Sequence, residues 1–413
     1  MLKIELFWSD ADSQQQYSPI KAGAEAATKT ATFQQVEKHI RLDEREDPDS
    51  PEAAARVARS LRLDPSVLAV VGHSNSGTTR AALPYYAEAG IPILMPAATS
   101  PYLLDRMVGR EPWSNINSVL SDTTRQQFSN AFRLIPSDVP DQVHAIELTI
   151  QELNVLRCES RTKQPETCTS ESSAQLYKPK VMVICDTTKR TGAGVYTKPM
   201  CDSIRDGQRF MKFRSIASYR AFDIDSNDVH GLVTEIHAVK PDYVVLLGYP
   251  ELARDVLEEL KERSANAQEM SNDVFIMSEA CLTEDLLPFG ASIYVTSPYN
   301  FAQTKTCSNQ LSVPKGGGTY ESYAFDAVII LAEAVESCLQ KETLGRACVR
   351  QYLESNNYLR GECEEYHIDR GERQDAPYHV YSACNGNLRA RWSAKTHDSE
   401  LRENVQWCKG DDK

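Results

Sequence analysis

The chain has 413 residues, with 58 Asp or Glu against 45 Lys or Arg and a formal net charge of −13. That length predicts two to three domains, and 41% apolar with 25% charged residues is an ordinary globular composition, which excludes miniproteins, fibres and disordered chains. The acidic balance argues against nucleic acid and anionic lipid surfaces as partners, because both need a basic face.

The chain opens directly on a strand-like run, Leu2 to Trp8, with no basic region or cleavage site before it. Any leader is therefore expected to have been trimmed, unless there never was one. Ser50 followed by Pro51 marks a helix start, and Ala54, Val57, Ala58 and Leu61 form its apolar face. Unbroken apolar runs follow at Val67 to Val71, Ile91 to Met95, Val181 to Cys185, Tyr243 to Leu247 and Ile293 to Thr296, with helical stretches between. Such runs suit parallel strands covered on both faces. A helical stretch from Asp141 to Leu153 and a polar loop from Cys158 to Lys178 separate two βα series. After Gly316-Gly-Gly318 comes a long helix, Tyr320 to Cys338, apolar almost all round, then a second helix and a hairpin at Tyr378 to Cys384. The expected fold class is α/β, with two open, doubly wound lobes whose ligands bind beyond the carboxyl ends of the strands.

No stretch approaches the roughly 20 apolar residues that cross a bilayer, and the most hydrophobic run, Ala324 to Ala334, carries Asp326 and Glu333. The 11 cysteines form no CxxC pair and no zinc-ligand spacing with histidine, so neither a metal nor another cofactor is expected. Cys158 and Cys168 bracket a loop, and Cys338, Cys348, Cys363, Cys384 and Cys408 crowd the last quarter, which suits local disulfides in an oxidising compartment. Cys185, inside an apolar run, reads as a buried free thiol. An odd total leaves at least one thiol unpaired within one chain.

The chemistry-bearing loops follow strands. Gly72-His-Ser74-Asn-Ser76-Gly-Thr78-Thr79 is a hydroxyl-rich turn that opens a helix, suited to a carboxylate or phosphate, although Ser76 acting only as an N-cap explains part of it. Pro96-Ala97-Ala98-Thr99-Ser100 is a second such turn, and the two are expected to converge on one anion. The first also resembles the nucleophile elbow G-x-S-x-G of α/β-hydrolases, with Ser74 as nucleophile. Ser76 replaces the last glycine, however, while His230 and His237 fall on a polar helix and His379 in a hairpin. Glu279, just past a strand, offers a carboxylate to a cationic group. Tyr249, after the strand Tyr243 to Leu247, offers a ring or hydroxyl to the same cleft.

Val71-Gly-His-Ser-Asn-Ser-Gly-Thr-Thr79, with Pro84 to Pro101 after it, resembles the leucine/isoleucine/valine-binding proteins of the type I periplasmic binding family. The resemblance continues through Lys180 to Asp186, Gly248-Tyr-Pro-Glu251, Ser278-Glu-Ala280, Ser322 to Val328 and Tyr366 to Gly371. It implies two lobes joined by a three-strand hinge, lobe 1 being 1–135 plus about 300–358 and lobe 2 being 136–299 plus about 359–413. It implies a non-enzymatic, extracytoplasmic protein that closes over a small amino acid and hands it to an ABC transporter permease. Carried over by position, Ser76, Ala97 and Thr99 hold the α-carboxylate, with Ser74 and Ala98 beside them, and Glu279 pairs with the α-ammonium. Tyr249 lines the opposite lobe. Thr191 stands where the family often has tyrosine, and Gln16 or Tyr17 is available near the first loop. A disulfide common in the family would need cysteines near Glu46 and Asn75, and this chain has neither. A ligand-sensing domain of a larger receptor or regulator shares the same fold and pocket.

Overall fold

The computed structural model describes residues 1–8, 18–47, 50–104, 128–161, 179–189, 191–206, 215–226, 228–263, 274–282, 293–298, 320–374, 376–384, 387–394 and 402–403. The expected βα alternation forms two separate sheets. The first has five parallel strands in the order β2-β1-β3-β4-β5, from β1 (Leu2–Trp8), β2 (Ile40–Glu46), β3 (Val67–Val71), β4 (Ile93–Met95) and β5 (Ala131–Arg133). Side chains alternate across it. Ile4, Leu6 and Val71 face α1 (Pro19–Ala27) and α2 (Ala31–Val36), whereas Phe7, Val67 and Val70 face α3 (Pro51–Leu61) and α4 (Ser76–Glu88). Ser50 caps α3 as expected, accepting the Ala53 N–H at 3.2 Å.

The second sheet has eight strands in the order β16-β15-β14-β10-β9-β8-β6-β7. Its parallel part is β6 (Lys180–Asp186), β7 (Ser215–Phe222), β8 (Tyr243–Leu247), β9 (Val274–Met277) and β10 (Ile293–Ser297). Val181, Val183 and Cys185 pack with α5 (Val143–Arg161) and α6 (Ala193–Asp206). Met182 and Ile184 pack on the other face with α7 (Val229–Val239) and α8 (Pro250–Arg263). The antiparallel hairpin of β14 (Tyr378–Cys384) and β15 (Asn387–Ala394) joins β10, and β16 (Arg402–Glu403) ends the sheet. The chain passes between the sheets three times, after β5, after β10 and on entering β14.

The helix α9 (Glu321–Gln340) is buried along most of its length against the first sheet, with α10 (Arg346–Ser355) beside it. Its Asp326 carboxylate accepts the N–H groups of Glu362, Cys363 and Glu364 at 2.9, 3.0 and 3.0 Å, and the Tyr366 hydroxyl at 2.7 Å. Burial pushes this carboxyl up to about 7. The cluster fixes the small sheet of β11 (Tyr358–Arg360), β12 (Glu365–Asp369) and β13 (Glu372–Arg373) to the first lobe, where Leu359, Tyr366 and Ile368 join the core. The segment 359–373 therefore packs with lobe 1, in contrast to the division expected at about 358.

Cys338 and Cys348 are bridged, joining α9 to α10 as expected of a local pair. Cys185 corrects its expectation. It is bonded to Cys201, because β6 and α6 bring the two Cα atoms to 6.3 Å, so its apolar surroundings enclose a disulfide and not a free thiol. Cys158 and Cys363 are disulfide-bonded too, and among the described residues Cys281 is a buried free thiol. No helix among them is long and apolar enough to cross a membrane. No group of His, Cys, Asp or Glu among them could hold a metal ion.

Candidate ligand-binding cleft

The turn after β3 divides into two functions. Asn75, not Ser76, caps α4, accepting the Thr78 N–H at 2.9 Å. Ser74 bonds to Asp47, and both its N–H (2.6 Å) and its hydroxyl (2.5 Å) donate to the Asp47 carboxylate. Both donors of Ser74 are therefore engaged by Asp47. His73 is sealed in the same cluster, with Nδ1 2.6 Å from Asp47 and Nε2 3.0 Å from the Tyr86 hydroxyl. A hydrolase needs its serine hydrogen-bonded to its histidine, and here an aspartate stands between them.

Ser76 and the second turn do converge. The Ser100 N–H donates to Ser76 Oγ at 3.2 Å, and Ala97, Ala98 and Thr99 are buried at the carboxyl end of β4. Arg133, at the end of β5, locks that turn by donating to the carbonyls of Thr99 and Ser100 at 2.5 and 2.6 Å. Its Nε lies 3.3 Å from Glu372.

Glu279 arrives from the second lobe, two residues beyond the strand end of β9, where the Ser278 hydroxyl braces Gly248. It is buried, and it accepts from the Tyr196 hydroxyl at 2.7 Å and from the Thr99 hydroxyl at 3.2 Å. The Thr99 contact crosses from one lobe to the other. Burial raises the Glu279 carboxyl above its ordinary range, against the Tyr196, Gln142 and Thr99 hydrogen bonds that lower it. The lobes also touch where the Ser100 hydroxyl donates to the Val195 carbonyl at 2.6 Å. Gly77 faces Gly192, and a Cβ on Gly77 would meet the Gly192 Cα and the Thr191 carbonyl at 3.0 Å.

Tyr249 stacks on Tyr196 with ring centroids 5.4 Å apart, and its buried hydroxyl has no hydrogen-bond partner. Thr191 lies in the turn before α6, its hydroxyl 3.4 Å from the Thr188 carbonyl. The tyrosine that reaches Glu279 is Tyr196, five residues further on. Tyr17 falls outside the described residues, as does Gln16.

Sequence reasoning missed Tyr196, Asp138, Gln142 and Tyr378. Asp138 lies in the passage after β5, fully buried, its N–H bonded to the Thr99 carbonyl at 3.0 Å. Gln142 donates to Thr296 at 3.0 Å, and its amide oxygen is left unpartnered, like the Tyr378 hydroxyl. The available signal was Arg133 to Asp138, an apolar strand end running into an acid between Pro136 and Pro140.

No family model matches the chain. A curated protein of Pseudomonas aeruginosa named "Amino acid binding protein" is 24% identical over 244 residues, 59% of this chain and 52% of that protein, so the match spans about half the relative's length. Among solved structures, the branched-chain amino acid transporter substrate-binding protein LivJ of Streptococcus pneumoniae, in complex with isoleucine, superposes with a TM-score of 0.64 at 16% identity, covering 98% of this chain and 99% of that one. The leucine-binding protein LivK of Thermotoga maritima gives a TM-score of 0.65 at 14% identity over 95% and 98%. This is the type I periplasmic binding protein fold. A solute-binding protein of R. palustris with the same fold, in complex with benzoate, matches at a TM-score of 0.65 and 12% identity over 98% of both chains.

Proposed function

We propose that the protein is an extracytoplasmic solute receptor, not an enzyme, which captures a small amino acid between its lobes and delivers it to an ABC transporter permease. The observation that carries this reading is the bond from Thr99 of the first lobe to Glu279 of the second, set beside the joined turns of Ser76 and Ser100. An α-carboxylate fits the hydroxylated turns at the start of α4, with Ser76, Ala97, Ala98 and Thr99 around it. An α-ammonium fits Glu279, with Tyr196 and Tyr249 alongside. Because the two poles lie on different lobes, a zwitterion makes its full set of contacts only in the closed state and shifts a hinge equilibrium towards it. The names of the isoleucine-bound and leucine-binding structures of this fold support an amino acid as the cargo.

A thermal-shift screen of the twenty amino acids tests the reading. A true ligand at about 100 times its dissociation constant adds about 2.7 kcal/mol of stability, enough to raise the melting temperature visibly. If none of the twenty raises it, the proposal is wrong.

A further inference from the structure

Glu279 is not the only acid in the depth of the cleft, and the second one lacks what the first has. Asp138 is 0% exposed, and neither of its carboxylate oxygens has a hydrogen-bond partner. A buried, unpartnered carboxylate is costly and rare in a folded protein. Around it stand Glu279 from the second lobe, Asp141 from its own segment, Thr99 from the β4 turn, Arg133 from β5, Tyr196 from α6, Tyr249 before α8 and Tyr378 from β14. The one cation in this set is Arg133, whose terminal nitrogens hold the Thr99 and Ser100 carbonyls and whose Nε faces Glu372. With both acids ionised, this buried pair would hold excess negative charge. Two buried hydroxyls nearby, of Tyr249 and Tyr378, also lack partners.

We propose that Asp138 and Glu279 share a proton while the cleft lacks a cation, and that an incoming ammonium, docking against both carboxylates, displaces that proton into solvent. The ligand class follows: an organic amine whose nitrogen carries enough N–H donors to serve two acids, and not a purely anionic solute. The balance is simple, since one carboxyl O–H bond breaks, the proton goes to the buffer and the ammonium takes its place as counter-charge. Burial, followed by the Glu279 charge, pushes Asp138 well above the ordinary carboxylate range, which agrees with the geometry. The inference rests on the proposed amino-acid receptor and adds a pH dependence to it.

The test takes the tightest binder from the twenty-amino-acid screen into isothermal titration of the full chain, in phosphate and in Tris. The expected result is an apparent enthalpy that differs between the buffers by close to one released proton. Affinity should rise by up to about tenfold per pH unit between about pH 6 and about pH 8. Asp138→Asn keeps the side-chain shape, and it should abolish the buffer difference and weaken binding by about tenfold or more. The wild-type proton count stands as a measurement even if that variant folds poorly. Binding without proton release and with affinity flat across that range overturns this inference and leaves the receptor reading intact. No binding by any amino acid overturns both.

Discussion

Asp47 and Asp138 are the same side chain at nearly the same burial, 3% and 0% exposed, yet they do opposite things. Asp47 accepts the Ser74 N–H and hydroxyl and the Thr78 hydroxyl, and it meets His73 Nδ1 at 2.6 Å. Burial alone would raise it, but the His73 contact and the Ser74 donors outweigh that, so its pKa lies below the ordinary value. Asp138 has none of these partners, and burial raises it. The difference teaches that burial does not separate a structural acid from a binding one, whereas hydrogen-bond satisfaction does. A satisfied buried acid fixes a turn, and an orphaned one marks where a ligand belongs.

The strongest way to break this contrast is to delete each acid and read stability and binding side by side. Asp47→Ala strands the part-buried Ser74 N–H and leaves the buried His73 facing a void, and it should cost about 3–5 kcal/mol in urea unfolding. A loss below about 1 kcal/mol would show that the network only decorates the turn. Glu279→Ala should behave in the reverse manner. Amino-acid affinity by titration calorimetry should fall by about a hundredfold or more, while the ligand-free protein melts no lower because a desolvated carboxyl has been removed. Unchanged affinity for a ligand with a free α-amine would dismiss Glu279 as the ammonium partner.

How much of this was legible in the sequence follows from what each signal measures. The strands and covering helices could be read because unbroken apolar runs and an apolar period of 3.6 report burial locally, and the Ser50-Pro51 helix start carries its own cap acceptor, the Ser50 hydroxyl. Glu279 and the two hydroxylated turns were legible because loops after parallel strands are few and their composition is unusual. The Ser74 contact with Asp47 could not be read for a long-range reason. Its partner Asp47 lies 27 positions earlier, and no spacing rule links them. Cys185 was misread because an apolar strand looks the same around a thiol and around a disulfide. Asp138 went unnoticed because a single acid near two prolines resembles an exposed turn, and only the closed tertiary structure removes its water.

The contrast sharpens further with pH. Asp47, lowered in the folded state, contributes stability that is present above the ordinary aspartate value of about 3.9 and is lost as pH falls through its folded value. Asp138, raised in the folded state, contributes stability that is present below about 3.9 and is lost as pH rises through its folded value. Unfolding of the ligand-free protein, followed from about pH 2 to about pH 8, should therefore lose stability on the alkaline side with a slope approaching 1.4 kcal/mol per pH unit, using about 1.36 kcal/mol per proton. Asp138→Asn should flatten that limb and leave the acid limb in place. If both limbs survive the substitution unchanged, the raised group is some other residue.

The smallest expected effect makes the finest distinction, because it concerns two serines only two positions apart. Ser74→Ala removes one of the two donors that this residue gives Asp47 and keeps the N–H, so the loss should be near the usual net worth of a hydrogen bond to a charged group, about 1.5–3 kcal/mol at most. Affinity should stay within about twofold, since the hydroxyl is already given to Asp47. Ser76→Ala should weaken binding by about tenfold, as expected for a lost hydrogen bond to a carboxylate, and should also cost about 1–3 kcal/mol because the buried Ser100 N–H loses its acceptor. A Ser74→Ala variant that binds as poorly as Ser76→Ala would mean that the turn rearranges when ligand enters. Asp47 would then be part of the binding site, and not only of its scaffold.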